Sequence, residues 1–287
     1  MQKKIIEPRY QVMTGKIINS YKNELVSLDE IECFLRGEFE TFRNAKRLTG
    51  GRISGVYKID DSSQDKVIKY SKGTYRMLEL KREAEVLKYM NDKGYKHVVP
   101  IIRSFRMLDN FAYLVQDYFD GETVREKFNL NHCLEERLKT WELIGQSLSK
   151  IHMLCKSEDI KGEWLNEQLK TAKINMQNDL IDIEDFGEEN PGEVLEWLMS
   201  NKPDRKQVSL IHGDFRTKNI MIDKENNYKI IDWGFVDIGD HYYDLAVIDY
   251  YFKDELDRSS FYKGYKSSQY DKRLIEYYDR LSWFINI

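Results

Sequence analysis

The sequence predicts an α+β protein in two parts: a small sheet-rich first part and a larger, mainly helical second part. Three observations predict it. Short β-prone runs separated by turn residues crowd the stretch 55–116. Beyond about residue 119, apolar residues recur at helical spacing. Between residues 212 and 232, two short apolar runs joined by a turn carry polar groups at both open ends.

Taken in order, residues 1–27 form an N-terminal extension, and Leu28–Leu35 reads as a short helix with Ile31, Phe34 and Leu35 on one side. Thr49–Gly55 is rich in turn residues. Val56–Ile59 and Val67–Tyr70 read as strands about the turn Asp60–Asp65. Leu78–Met90 carries Leu80, Ala84, Leu87 and Met90 on one helical face. Val98–Arg106 and Phe111–Gln116 read as a second strand pair, and Asp117–Gly121 as the crossing to the next part. The expected division is therefore 1–27, 28–118 and 119–287. Helices are expected over Trp141–Cys155, Glu163–Met176, Val194–Met199, Leu245–Phe252 and Leu274–Phe284.

The bulk numbers narrow the function. Of 287 residues, 41% are hydrophobic and 33% charged, a folded rather than disordered composition. The 49 acidic and 45 basic residues give a net charge of -4, which lacks the basic excess of a nucleic-acid binder. Cys33, Cys133 and Cys155 are far apart and odd in number, which argues against a disulfide framework or structural zinc. No apolar run has the length of a signal core or a spanning helix, so the expected location is cytoplasmic, with no membrane partner. A monomer or small homo-oligomer is expected.

Residues 212–232 carry the chemistry. His212-Gly213-Asp214 is followed by Asn219 and, after a turn at Asn226–Asn227, by Asp232. One Asp can orient a hydroxyl, while an amide oxygen and a second carboxylate share a hard cation. Phosphoryl transfer from a nucleotide needs those roles. Each of the three is otherwise an ordinary turn or capping residue.

This motif and its surroundings resemble the aminoglycoside phosphotransferase family, above all the aminoglycoside 3'-phosphotransferases. The blocks are His212–Asp214 through Asn219, Ile231–Gly234, Asp240–Ala246, Lys69 with Ser71–Tyr75, and Lys81–Ala84. They span roughly residues 28–284. The resemblance implies a two-lobed, protein-kinase-like fold and an O-phosphotransferase using ATP or GTP with Mg2+ on a small-molecule hydroxyl. It implies Asp214 as catalytic base, Asn219 and Asp232 as metal ligands, and His212 as a packed support of the loop. It further implies that Lys69 contacts nucleotide phosphates, held by Glu83. Ser54 and Gly55 fall where the family closes a loop over the nucleotide, and Gln116 and Tyr118 near its base. Protein kinases often carry a lysine near the position of Lys218, so Lys218, with Arg216 beside it, is a candidate for the transferred phosphate. Read without the resemblance, Lys69 and Glu83 are surface residues of a strand and a helix, and Lys218 belongs to a basic loop.

The acceptor side is read from charge. Residues 178–193 hold Asp179, Asp182, Glu184, Asp185, Glu188, Glu189 and Glu193 with no Lys or Arg. In the family, a loop here lies over a polycationic drug, so these acids are expected to draw a cationic acceptor. The competing reading is a solvated helix connection. Trp283 is expected either to stack on the acceptor or to pack the last helix. Two departures stand out. The acidic pair that the 3'-phosphotransferases place before their C-terminal Phe is replaced by Leu281-Ser282-Trp283-Phe284, and Phe235 stands where they commonly have Arg. The alternatives are the same chemistry on another small alcohol (a sugar, nucleoside or other antibiotic) and a nucleotide-binding pseudokinase without turnover.

Overall fold

A computed structural model describes residues 35–37, 44–48, 55–60, 62, 64–129, 133–158, 163–204, 207–266 and 270–285. These fall into two compact units. The first runs through Glu122 and takes in Met221–Phe235; the second comprises Thr123–Ile220 and the residues from Val236 onward. The sequence places the boundary near residue 119 and residues 221–235 in the second part. Among the described residues, no helix is long and apolar enough to cross a membrane. The N-terminal extension, most of the expected helix 28–35, and Gly50, Gly51 and Ser54 lie outside the described residues.

The first unit is built on an antiparallel sheet of β1 (Asn44–Arg47), β2 (Gly55–Asp60), β3 (Lys66–Lys72), β4 (Ile102–Met107) and β5 (Phe111–Asp117), in the order β1-β2-β3-β5-β4. Alternation decides what each face holds. Tyr57, Ile59, Ile68, Tyr70, Tyr113 and Val115 form an apolar cluster with Leu35 and Ala45. Lys69, between Ile68 and Tyr70, therefore points to the opposite face, where it stands beside Leu114 across the ladder. Helix α1 (Thr74–Asp92) packs there, burying Leu80, Ala84, Leu87 and Met90 together with Glu83.

The expected strand 98–106 begins only at Ile102. Pro100 lacks an N–H and restricts the residue before it. Asn91 bridges the break, donating to the Pro100 carbonyl and accepting from the Ile102 N–H. The hairpin β9 (Ile220–Ile222) and β10 (Tyr228–Ile230) forms as expected, with the short β6 (Glu122–Thr123) beside β9. Asp223 accepts the N–H groups of Glu225 and Asn227, and Asn226 takes the left-handed conformation that Asn tolerates. The Ile230 N–H donates to Val98 at 2.8 Å, which ties this late stretch to the first unit.

The second unit is mainly helical: α2 (Val124–Asn129), α3 (Leu134–Leu154), α4 (Glu163–Gln177), α5 (Pro191–Ser200), α6 (Tyr242–Asp249), α7 (Glu255–Tyr265) and α8 (Lys272–Ile285). A small antiparallel sheet joins them, in the order β11-β8-β7, from β7 (Lys156–Glu158), β8 (Gln207–Ile211) and β11 (Asp237–Gly239). Helices α3 and α7 press together through glycine. A Cβ on Gly145 would overlap the Phe261 carbonyl, and one on Gly264 the Glu142 carbonyl. Trp141 fills the space beside this crossing against Phe252 and Phe261.

Helix α7 is absent from the sequence reading because two serines, a glycine and four charged residues mask its buried face of Phe261, Tyr262 and Tyr265. The expected helix to Phe252 stops at Asp249, whose carboxylate is held by Arg258.

Candidate active site

In the first unit the Lys69 ammonium lies 2.7 Å from Glu83 Oε1 and 3.3 Å from Asp232 Oδ1. Gln116 Nε2 donates to the same Glu83 oxygen at 3.4 Å. Strand alternation aims Lys69 at the helix, and α1 brings Glu83 beneath it. Burial pushes the lysine pKa down, but the Asp232 and Glu83 carboxylates outweigh it and hold the ammonium above its ordinary range. Burial pushes Glu83 up against the pull of Lys69. Asp232 has φ 68°, a rare conformation for a non-glycine residue. Trp233, fully buried and donating to the Ile230 carbonyl at 2.8 Å, anchors the chain just after it. The Asp232 carboxylate stays half exposed, at 48%.

The other expected nucleotide contacts differ in placement. Gly55 opens β2, where a Cβ would strike the Tyr57 ring. Gln116 sits inside β5 with its side chain turned to Glu83. Tyr118 donates its N–H to Asp65 at 3.0 Å, and its ring lies under the Lys58 ammonium at 4.4 Å.

In the second unit Asp214 is 8% exposed. Asn219 reaches back from a single 3₁₀ turn, Thr217–Asn219, and donates from Nδ2 to Asp214 Oδ2 and to the Asp214 carbonyl, each at 2.8 Å. Arg216 Nε stands 2.5 Å from Asp214 Oδ1, and Lys218 Nζ 3.5 Å from Oδ2. His212 is fully buried and its Nδ1 accepts the Asp214 N–H at 3.2 Å. Gly213, at φ 81°, makes the sharp turn that an L side chain resists.

Sequence reasoning missed the residue that fixes this loop. Asp244, fully buried on α6, accepts the N–H groups of His212 at 2.7 Å and Gly213 at 2.9 Å. His152 meets the same carboxylate at 3.1 Å and the Tyr265 hydroxyl at 2.7 Å. Asp244 lies in the quoted block Asp240–Ala246, but only the fold reveals what it holds.

The acidic stretch is less uniform than its composition. Asp182 caps a short turn by accepting the Glu184 N–H, and Glu189 pairs with Arg280 at 2.8 Å. Glu184 and Glu188 are exposed. Burial and the Asp182 charge push Asp185 up, while Arg216 pulls it down. Trp283 packs edge-on against Phe186, 5.5 Å between centroids, with Arg280 over its ring. One turn before the missing acidic pair, Asp279 supplies a carboxylate the sequence reading overlooked. Burial and the charges of Asp249 and Asp185 push it up to about 6, against Arg280 and a Trp283 hydrogen bond.

Residues 44–283 match the model of the phosphotransferase enzyme family. The chain belongs to that family. It is 26% identical over 176 residues to an aminoglycoside 3'-phosphotransferase of Niallia circulans, covering 58% of this chain and 67% of that protein. It is 35% identical over 158 residues to one of Escherichia coli, covering 52% and 56%. Among solved structures, an aminoglycoside-3'-phosphotransferase of type VIII superposes with a TM-score of 0.68 at 18% identity, over 88% of this chain and 98% of that one. A spectinomycin phosphotransferase in complex with ADP and spectinomycin gives 0.61 at 20% identity, over 90% and 85%. The kinship, the kinase-like α+β fold and the O-phosphotransferase class expected from the sequence are borne out.

Proposed function

We propose that this phosphotransferase moves the γ-phosphate of ATP or GTP to a hydroxyl of an aminoglycoside or related aminocyclitol. The observation that carries the reading is Asp214. Its carboxylate is nearly buried, oriented by Asn219, and mounted on a loop whose backbone Asp244 holds. The named relatives supply the acceptor class. Asp214 takes the hydroxyl proton as the acceptor oxygen bonds to the γ-phosphorus and the bond to the bridging oxygen breaks. Lys69, kept charged and braced by Glu83, receives phosphate oxygens.

Mg2+ fits the residues present. Both Asn219 amide hydrogens face oxygens of Asp214, which leaves its Oδ1, a hard donor, for a cation. In the first unit Asp232 offers a half-exposed carboxylate. Among the described residues no group of three or more His, Cys, Asp or Glu forms a metal cage; magnesium keeps several waters and phosphate oxygens and asks for few protein donors. When bound, Mg2+ supplies charge neutralisation across the phosphates.

Exposed Glu184 and Glu188 support a cationic acceptor. Arg216 and Lys218 beside Asp214 favour a second reading, an acceptor with no ammonium next to the reacting hydroxyl, such as a sugar or nucleoside. Mass spectrometry of an acceptor panel incubated with each nucleotide separates the two. Phosphate gained by aminoglycosides is the expected result. Gain confined to uncharged acceptors would overturn the first reading, and no gain with any acceptor would favour a nucleotide binder without turnover.

A further inference from the structure

We propose that Arg216 is a positioning residue that fixes the plane of the Asp214 carboxylate for the acceptor hydroxyl. The inference rests on Asp214 being the proton acceptor. A carboxylate held at one oxygen can still swing about its last bond. Asn219 donates to Oδ2 at 2.8 Å, and the Arg216 guanidinium pairs with Oδ1, its Nε 2.5 Å away. Contacts on both oxygens fix the plane, and the lone pairs they leave then point in set directions.

The root of the arginine is itself rigid. Phe215 before it and Thr217 after it are buried, and the Arg216 N–H donates to the Asp214 carbonyl at 2.9 Å. The arginine side chain is only about a third exposed. Its field reaches two groups outside the loop, the Asp185 carboxylate and the Tyr251 phenol. Lys218, at 3.5 Å and more exposed, adds charge without a second geometric constraint. A lysine at position 216 would keep the charge and lose the planar guanidinium seated against Oδ1.

Two measurements test this. The first is kinetic. Arg216→Ala is expected to lower kcat about 10- to 100-fold through misalignment of the base, with the nucleotide KM within about 2-fold and an unchanged melting curve. Millimolar guanidinium should restore part of the loss, and Arg216→Lys should remain impaired. A parent-like kcat in Arg216→Ala, a loss that guanidinium leaves untouched, or full activity in Arg216→Lys would each overturn the proposal.

The second needs no turnover. In nitrogen-15 NMR spectra the Arg216 guanidinium, assigned by its loss in Arg216→Lys, should be rigid in the parent and mobile in Asp214→Ala. Equal mobility in both would refute the contact. A rigid guanidinium in a parent that transfers no phosphate would instead refute the functional reading alone.

Discussion

Lys69 and Glu83 meet at 2.7 Å in a buried setting, one on a strand and the other on a helix, with Asp232 closing the group at 3.3 Å. Glu184 and Glu188 stand exposed in the irregular stretch before α5, while Asp182 and Glu189 nearby are occupied by a cap and an ion pair. The first region fixes charge by burial and mutual compensation. The second leaves part of its charge to solvent, where salt screens it. Chemistry common to a whole enzyme class suits the first arrangement, and choice of acceptor suits the second.

Breaking the buried pair should have the largest effect. Lys69→Met leaves Glu83 buried without its partner and should destabilise the fold by about 3 kcal/mol; kcat should fall about 10²-fold. Adding Glu83→Gln should recover most of the stability and none of the turnover. Recovery of both, read by thermal melting beside kinetics, would make the pair structural rather than functional.

Asp279 gives a smaller, pH-dependent effect. Its folded pKa, about 6, exceeds the ordinary 3.8, so the folded state binds the proton more tightly than the unfolded chain does. The resulting penalty is absent below about pH 4, grows as pH rises to about 6 and is constant above that. Asp279→Asn should therefore stabilise the protein by about 1–2 kcal/mol at pH 8, after discounting for partial exposure, and leave it unchanged at pH 4. Melting temperatures at the two pH values check this; equal shifts at both would contradict the assignment.

The exposed acids should matter least. Glu184→Gln with Glu188→Gln should raise the KM for a polycationic acceptor about 3- to 10-fold at low salt, with the difference fading as salt rises. A neutral acceptor should be unaffected. A salt-independent rise for both acceptor types would remove the electrostatic contrast between the two regions.

The sequence revealed strands β2 to β5, α1 and the loop Asp214–Asn219 because local patterns carry them, and it missed the polar edge strand β1. It hid what depends on distant partners. Asp244 reads as one helix residue among many until the His212 and Gly213 N–H groups arrive from 32 and 31 residues away in sequence. Strand β4 started late because Pro100 overrides the apolar run around it. The acidic stretch looked uniform because composition cannot tell a cap from a free carboxylate.

The proposed transfer rests on Asp214 accepting the proton of the acceptor hydroxyl. Mass spectra of an aminoglycoside incubated with nucleotide and either the parent or Asp214→Ala test it most directly. The predicted result is one added phosphate with the parent and about 10³-fold less with the variant, whose nucleotide affinity and melting curve stay near those of the parent. Equal phosphate gain from both proteins would contradict it.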